Sequence, residues 1–401
     1  LDAPGTDPKK LLHRLLMGPV VLERTPSWLV LALLIALAAG VEAAWGGRRP
    51  TGQVAVAWLF FALLDWAMLA GLHWTRRSFG PVKPPLLALA ALRAAIAALL
   101  AIPGHDWLAL GTMAGLSALA WYATWIEPLA IGVTERTLAF PQWPARVPPL
   151  RLLHLSDLHL ERIGRREERL NEMIRSLAPD LICFSGDLLS LSFNADPTAI
   201  AHARSCISEW RAPLGVYAVS GSPLVDLPES AQAILGSLPH LRWLQDEAIT
   251  IEPDGRALTL VGLTCTHLPA VDGPKLISAL EEVPRGDPII LIYHTPDLAP
   301  EAAAAGVDLQ LSGHTHGGQI RLPFYGAVIT SSIHRKRFEM GEYHLPRGGR
   351  SPMILYVSRG IGMEGGVAPR ARLLSRPEII LWTIKGADEI APGQGSTSSV
   401  S

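Results

Sequence analysis

The chain has 401 residues, of which 49% are apolar and only 18% charged, with a mean hydropathy of +0.26. That is too apolar for one or two ordinary soluble domains, and it excludes a disordered chain, a collagen-like fibre and a disulfide scaffold. A formal net charge of −1 without a polybasic run argues against a nucleic-acid partner, and three widely spaced cysteines fit a reducing compartment.

The apolar character is concentrated at the start. Residues 1–149 hold 9 of the 12 tryptophans and carry 12 Lys and Arg against 8 Asp and Glu. Four apolar stretches, 28–45, 54–74, 86–102 and 107–126, each approach the ~17–25 residues that cross a hydrocarbon core of ~30 Å as a helix. They predict a four-span transmembrane bundle over 28–126 behind an N-terminal segment, 1–27. Soluble bundle helices carry a polar face, and these show almost none. Lys9, Lys10, Arg14 and Arg24 precede the first stretch, Arg76, Arg77 and Lys83 follow the second, and Arg136 and Arg146 follow the fourth. Only Arg48 and Arg49 lie on the other side, so the positive-inside rule puts both ends of the bundle in the cytoplasm. Asp65 and Arg93 fall inside the second and third stretches, where they either pair with each other or face neighbouring helices.

Four prolines between Pro141 and Pro149 cannot continue a helix, and they make 127–149 a Pro-rich linker. Beyond it come short runs rich in Val, Ile and Leu at 150–156, 181–185, 215–220, 257–264, 288–293, 308–312, 353–358 and 378–384. These predict buried strands joined by helices, an α/β domain over 150–385. The tail, 386–401, has the composition of a disordered segment.

The polar residues of interest each follow one of these runs. Asp157 and His159 end the first, Gly186-Asp187 the second, His294 the fifth, and Gly313-His314-Thr315-His316 the sixth. In an open α/β sheet the loops at the carboxyl ends of strands converge on one crevice. Two carboxylates and four imidazoles suit Mn²⁺, Fe or Zn²⁺ better than Ca²⁺ or a thiolate-seeking metal. Six such donors exceed the need of one tetrahedral ion and fit two ions ~3.5–4 Å apart that clamp a displacement at phosphorus.

In this order the pieces resemble the calcineurin-like metallophosphoesterase superfamily, whose pattern is Asp-x-His, Gly-Asp, Gly-Asn-His, a lone His, and Gly-His-x-His. The Leu155-Ser156-Asp157-Leu158-His159 and Gly313-to-Ile320 segments are similar to its membrane-associated bacterial branch, which includes lipid-directed phosphoesterases. The likeness covers about 150–384. It implies an αββα sandwich in which Asp157, His159, Asp187 and His316 hold one divalent ion and Asp187, His294 and His314 the other, with Asp187 the bridge.

One motif departs from that pattern. Where the superfamily has Gly-Asn-His, this chain reads Gly221-Ser222-Pro223. Ser222 offers a neutral oxygen for the second metal, but proline supplies neither donor nor base, and loss of a general acid costs ~10²–10⁴ in rate. His267, after the run at 257–264, is the candidate compensating acid or ligand, and Asp226 a further substitute. Arg359, Arg370 and Arg372 are candidate contacts to substrate phosphate. His154, Cys183 and Cys265 read as core.

The expected protein is an integral membrane phosphoesterase of the bacterial inner membrane, its catalytic domain facing the cytoplasm. It would use two divalent ions, Mn²⁺ first among them, to activate a hydroxide against a phosphate or diphosphate ester; four spans are more than an anchor requires, so a lipid-linked ester is expected. No protein partner is evident. The alternative is a degenerate relative that keeps its metals for structure or sensing.

Overall fold

The structure, a computed structural model, describes residues 18–46, 52–101, 106–143, 147–284, 286–348, 350–365 and 370–386. Lys9, Lys10, Arg14, Arg48, Arg49, Arg146 and the tail after Gly386 lie outside the described residues. The chain divides into two compact units: 1–129 with 364–373, and 130–363 with 374–401.

The first unit is helical. Leu- and Ala-rich sequence forms α1 (Ser27–Ala44), α2 (Gln53–Trp74), α3 (Lys83–Leu99) and α4 (Asp106–Trp121). Prolines sit at the first turn of α3, where a missing N–H costs nothing. The Glu42 carboxylate, near the end of α1, accepts from the N–H groups of Gly52 (3.1 Å) and Ala55 (2.9 Å) and so satisfies the start of α2. Of the four spans expected, two helices among the described residues, α1 and α2, are long and apolar enough to cross a membrane.

Polarity in this unit runs outward from charged to apolar. Asp65 and Arg93 are fully buried and meet through two bonds, Nε to Oδ2 at 2.7 Å and Nη2 to Oδ1 at 3.1 Å. The Ser117 hydroxyl donates to Asp65 Oδ1 (2.9 Å), and Arg93 Nη1 donates to the Met113 carbonyl (2.7 Å). Trp28, Val56, Phe60, Leu99 and Trp107 are exposed instead. Asp65 and Arg93, open in the sequence to either arrangement, are thus partners in a four-residue network.

The second unit is built from strands and flanking helices. In chain order it runs β1 (Gly132–Phe140), β2 (Leu150–Leu155), α5 (Arg165–Leu177), β3 (Leu181–Phe184), α6 (Pro197–Ile207), β4 (Val216–Ala218), α7 (Pro228–Ile234) and β5 (Leu241–Trp243). It continues with β6 (Glu247–Ile251), β7 (Leu258–Gly262), α8 (Pro269–Leu280), β8 (Ile289–Ile292), α9 (Ala299–Ala305) and β9 (Leu309–Ser312). The remainder comprises a small hairpin, β10 (Arg321–Leu322) and β11 (Gly326–Ala327), then β12 (Gly341–Arg347), β13 (Arg350–Val357) and β14 (Glu378–Gly386).

Two mixed six-stranded sheets result, in the orders β1-β14-β2-β3-β4-β5 and β12-β13-β9-β8-β7-β6. Strand alternation divides the core. Leu150, Leu152, Leu181 and Cys183 pack against Leu258, Leu260, Ile290, Ile292, Leu309 and Leu311 between the sheets. Leu153, Leu155, Ile182 and Phe184 turn the other way, onto α5, α6 and α7, while Val261, Leu291 and Leu355 pack on α8 and α9. The layers are helices, sheet, sheet, helices. Within the stretch expected as a linker, β1 pairs in parallel with β14. Its alternating Gly-Val-Thr-Glu-Arg-Thr pattern suits an edge strand with one wet face.

His154 faces the sheet interface, fully buried, with Nε2 against Ser185 Oγ at 2.9 Å and Nδ1 unpartnered. Burial pushes its pKa from 6.5 down to about 3. The unfolded chain therefore takes up this proton first as pH falls, so stability is full above pH 6.5 and drains between 6.5 and 3. Between pH 7 and 5 that loss is about 2 kcal/mol, and the His154→Gln protein, followed by denaturant unfolding at each pH, should show a correspondingly flatter profile. In the helical unit, Arg93→Met leaves the Asp65 carboxylate buried without its partner. It should cost about 3–5 kcal/mol of stability, whereas Asp65→Leu combined with Arg93→Met should unfold close to the parent. Thermal unfolding in detergent of the three variants checks the ordering.

Candidate metal centre

Sheet register sets the site. In one sheet Leu155 pairs with Phe184 and Phe184 with Ala218; in the other Gly262 pairs with Ile292 and Ile292 with Leu311. The parallel strands β2, β3 and β4, and likewise β7, β8 and β9, therefore end level with one another, and their loops open at one edge. The first two loops are stitched by backbone bonds from Asp157 N to Gly186 O (2.9 Å) and from His159 N to Asp187 O (3.1 Å).

Six side chains from four loops gather there as two triads, Asp157–His159–His316 and Asp187–His294–His314. In each, the donor atoms lie within 4.8 Å of one another. His159 Nε2 and His316 Nε2 face each other at 2.9 Å. Asp187 Oδ2 lies 3.4 Å from His159 Nε2 and 3.3 Å from His294 Nε2, so one oxygen stands between the triads. Asp157, His159, Asp187, His314 and His316 all take a left-handed φ between 40° and 69°. Each costs of order 1–3 kcal/mol, and such strain collects at functional sites.

The donors fit a pair of divalent cations. His294 Nδ1 lies 2.9 Å from the Ser185 carbonyl and His159 Nδ1 3.2 Å from the Leu189 carbonyl. With Nδ1 held by those carbonyls, Nε2 of each ring is the nitrogen directed into the centre, where in the neutral ring it can ligate a cation. Asp157 Oδ2 is buried with no hydrogen-bond partner. An orphaned buried carboxylate oxygen is a cost that a bound cation would relieve. These two triads are candidate ligands of a binuclear site.

Electrostatics separates the two carboxylates. Burial pushes the Asp157 carboxyl above its ordinary range. Burial also opposes charge on Asp187, but His294 and His159 outweigh it and hold that carboxyl well below the ordinary value. His294 is correspondingly lifted to about 9 by Asp187 against the cost of burial. Burial and then His294 keep His314 well below the imidazole range.

Ser222 comes to the second triad. Its N–H donates to Asp187 Oδ1 (2.6 Å), and its hydroxyl lies 3.0 Å from His294 Nε2 and 3.4 Å from His314 Nδ1. His267 is there too, its ring centroid 4.7 Å from that of His314, with Nε2 buried and unpartnered. Burial and His294 lower its pKa to about 4. Asp226 is turned away from the donors: its carboxylate accepts from the N–H groups of Asp187 (3.0 Å), Leu188 (2.8 Å) and Gly221 (2.7 Å), and burial and Asp187 raise it to about 6. It clamps two loops together. Arg359 is paired with Glu378 at 2.7 Å and also lies beside Gly317. Arg370 and Arg372 belong to the helical unit, where the Arg372 N–H donates to the Ala123 carbonyl (2.9 Å).

Asp226, expected as a substitute acid or ligand, is thus a positioning group instead. A second positioning group, not named from the sequence, is Asp272, whose carboxylate holds the His267 loop through Thr266 N (2.8 Å) and Thr266 Oγ1 (3.0 Å) and also accepts from Tyr293 Oη (2.6 Å). An acidic residue in the first turn of α8 was the available hint.

No protein-family profile matches the chain. It is 30% identical over 288 residues to the uncharacterized metallophosphoesterase YkuE of Bacillus subtilis, covering 67% of this chain and 90% of that protein. It is 26% identical over 328 residues to the UDP-2,3-diacylglucosamine pyrophosphatase LpxG of Chlamydia trachomatis, covering 68% and 95%. The phosphodiesterase YaeI of Escherichia coli is 24% identical over 267 residues, covering 65% and 90%. Likeness along nine-tenths of the Bacillus protein, joined to the paired triads at the strand ends, makes this chain a calcineurin-like metallophosphoesterase, a hydrolase of phosphoester bonds.

Proposed function

We propose that the protein is a membrane-integral, two-metal phosphoesterase that hydrolyses a lipid-linked phosphate or diphosphate ester at the inner leaflet. The observation that carries the two-metal reading is Asp187 Oδ2, within 3.4 Å of imidazoles from both triads. In the proposed centre Asp157, His159, Asp187 and His316 hold one ion and Asp187, His294 and His314 the other, with Ser222 supplying the oxygen that Asn supplies elsewhere in the superfamily. Divalent ions there, Mn²⁺ or else Fe or Zn²⁺, would neutralise phosphoryl charge and make a water nucleophilic near neutral pH.

The chain's own residues do the remaining work. Asp226 and the Ser222 N–H fix the Asp187 carboxylate in place. His267, held neutral at pH 7, presents one N–H to the leaving group as a hydrogen bond in place of the proton donor that Pro223 lacks. A diphosphate leaving group needs little more than that. Arg359 is the proposed contact to the substrate's outer phosphate oxygens; Arg370 and Arg372, expected in the same role, are buried in the helical unit.

The bilayer reading covers all four helices, with both ends of the bundle in the cytoplasm. It is supported by an apolar exterior around a buried ion pair, the reverse of a soluble bundle. LpxG of Chlamydia trachomatis is a UDP-2,3-diacylglucosamine pyrophosphatase, and likeness to it supports a lipid-linked ester here.

Asp187→Asn should reduce bound metal from about two ions per chain to one or none, measured by elemental analysis of purified protein, and should abolish turnover. Unchanged stoichiometry would remove the bridge. His267→Ala should lower kcat about 10- to 100-fold with metal content unchanged, and His267→Gln, which keeps an N–H, should recover part of it. Full metal content with no turnover on monoesters, diesters and lipid pyrophosphates would favour the sensor alternative.

A further inference from the structure

The surface of the second unit has one concentrated apolar patch. Among the described residues, six of its eleven exposed large apolar side chains fall between positions 322 and 333: Leu322, Phe324, Tyr325, Val328, Ile329 and Ile333. Phe324 at the tip of the β10–β11 hairpin is fully exposed, and Ile329 is 71% exposed. Three cations follow at once, Arg335, Lys336 and Arg337, all exposed.

The patch is presented by a braced element. Arg321 donates to the Gly317 carbonyl (2.9 Å) and pairs with Glu339 (2.9 Å), whose backbone carbonyl accepts from Thr315 Oγ1 (2.6 Å). Ser332 Oγ donates to Asp297 Oδ1 at 2.6 Å. Gly318 has φ +84°, and a side chain there would run into Ala327, so the loop carrying His314 and His316 packs directly on the hairpin. The ammonium of Lys336 lies 3.6 Å above the Tyr325 ring, which sets cation and aromatic side by side. Leu268, next to His267, is exposed as well.

An apolar tip with an aromatic at its edge and a row of cations behind it matches a bilayer interface, acyl region first and anionic headgroups next. A soluble monomer seldom gathers apolar side chains this way without covering them. We infer that the 320–337 segment docks on the surface of a membrane containing anionic phospholipid, with Phe324, Tyr325 and Ile329 in the interface and Arg335, Lys336 and Arg337 against headgroup phosphates. The consequence is that the metal centre opens toward headgroups. The inference rests on the proposed function only for what is then hydrolysed; the docking itself is separate from the four helices.

The test uses the full chain with Phe324→Cys carrying an environment-sensitive fluorophore. Cys183, Cys206 and Cys265 are buried, so the label goes to position 324. The protein is reconstituted in nanodiscs of phosphatidylcholine alone or mixed with phosphatidylglycerol. Co-elution with nanodiscs reports the helices, and label emission with quenching by spin-labelled lipid reports the hairpin. The expected result is a blue shift and quenching that strengthen with phosphatidylglycerol. Joint reversal of Arg335, Lys336 and Arg337 to Glu should lower the docked fraction by about 10- to 100-fold, without changing thermal unfolding. An aqueous emission in both lipids, or a shift in detergent that grows with protein concentration and so reports contact between copies, overturns the inference. Should the chain fail to co-elute, the proposed bundle insertion fails, and emission on adding the labelled protein to vesicles of the same two compositions still decides the docking.

Discussion

One carboxylate oxygen organises the catalytic unit. Asp187 Oδ2 stands between a histidine following β2 and a histidine following β8, so it joins loops from two different sheets. Holding a buried anion there takes a ring of donors: the Ser222 N–H on its other oxygen, and Asp226 gripping the backbone beneath. The left-handed backbone at Asp157, His159 and Asp187 is tolerable because the ladder between their loops over-determines it.

Much of this was legible in the linear chain because each Asp and His group follows an apolar run, and apolar runs of that length become the central strands. All eight such runs are strands in the structure, from β2 to β14. In the two large sheets the strands without that signal are β1, β5, β6 and β12, the four edge strands, where water on one face permits polar residues and shortens the apolar pattern. The stretch expected as a linker contains β1 for this reason, its alternating polar pattern lying just before the prolines. The clamping roles of Asp226, expected as a substitute acid, and of Asp272 are not legible for another reason: their hydrogen bonds reach across loops, and a single acidic residue in a polar segment carries no mark of its partner.

The helical unit shows the reverse relation between pattern and partner. Its apolar stretches foretold helices at nearly the same positions, because nothing in them interrupts helix formation. What the stretches leave open is how one Asp and one Arg are accommodated. The answer is geometric, a fork of two bonds supported by a hydroxyl and a carbonyl, so that neither charge meets an apolar neighbour unpaired.

Level strand ends carry a further implication. Because the backbone ladders of both sheets, and not adhesion among the donor side chains, bring the four loops to one edge, a single ligand position can be rewritten while its neighbours keep their places. In the proposed centre Gly221-Ser222-Pro223 is such a position, with the Ser222 hydroxyl 3.0 Å from His294 Nε2. A scaffold of this kind lets substrate range drift by exchange of one loop, at little risk to folding.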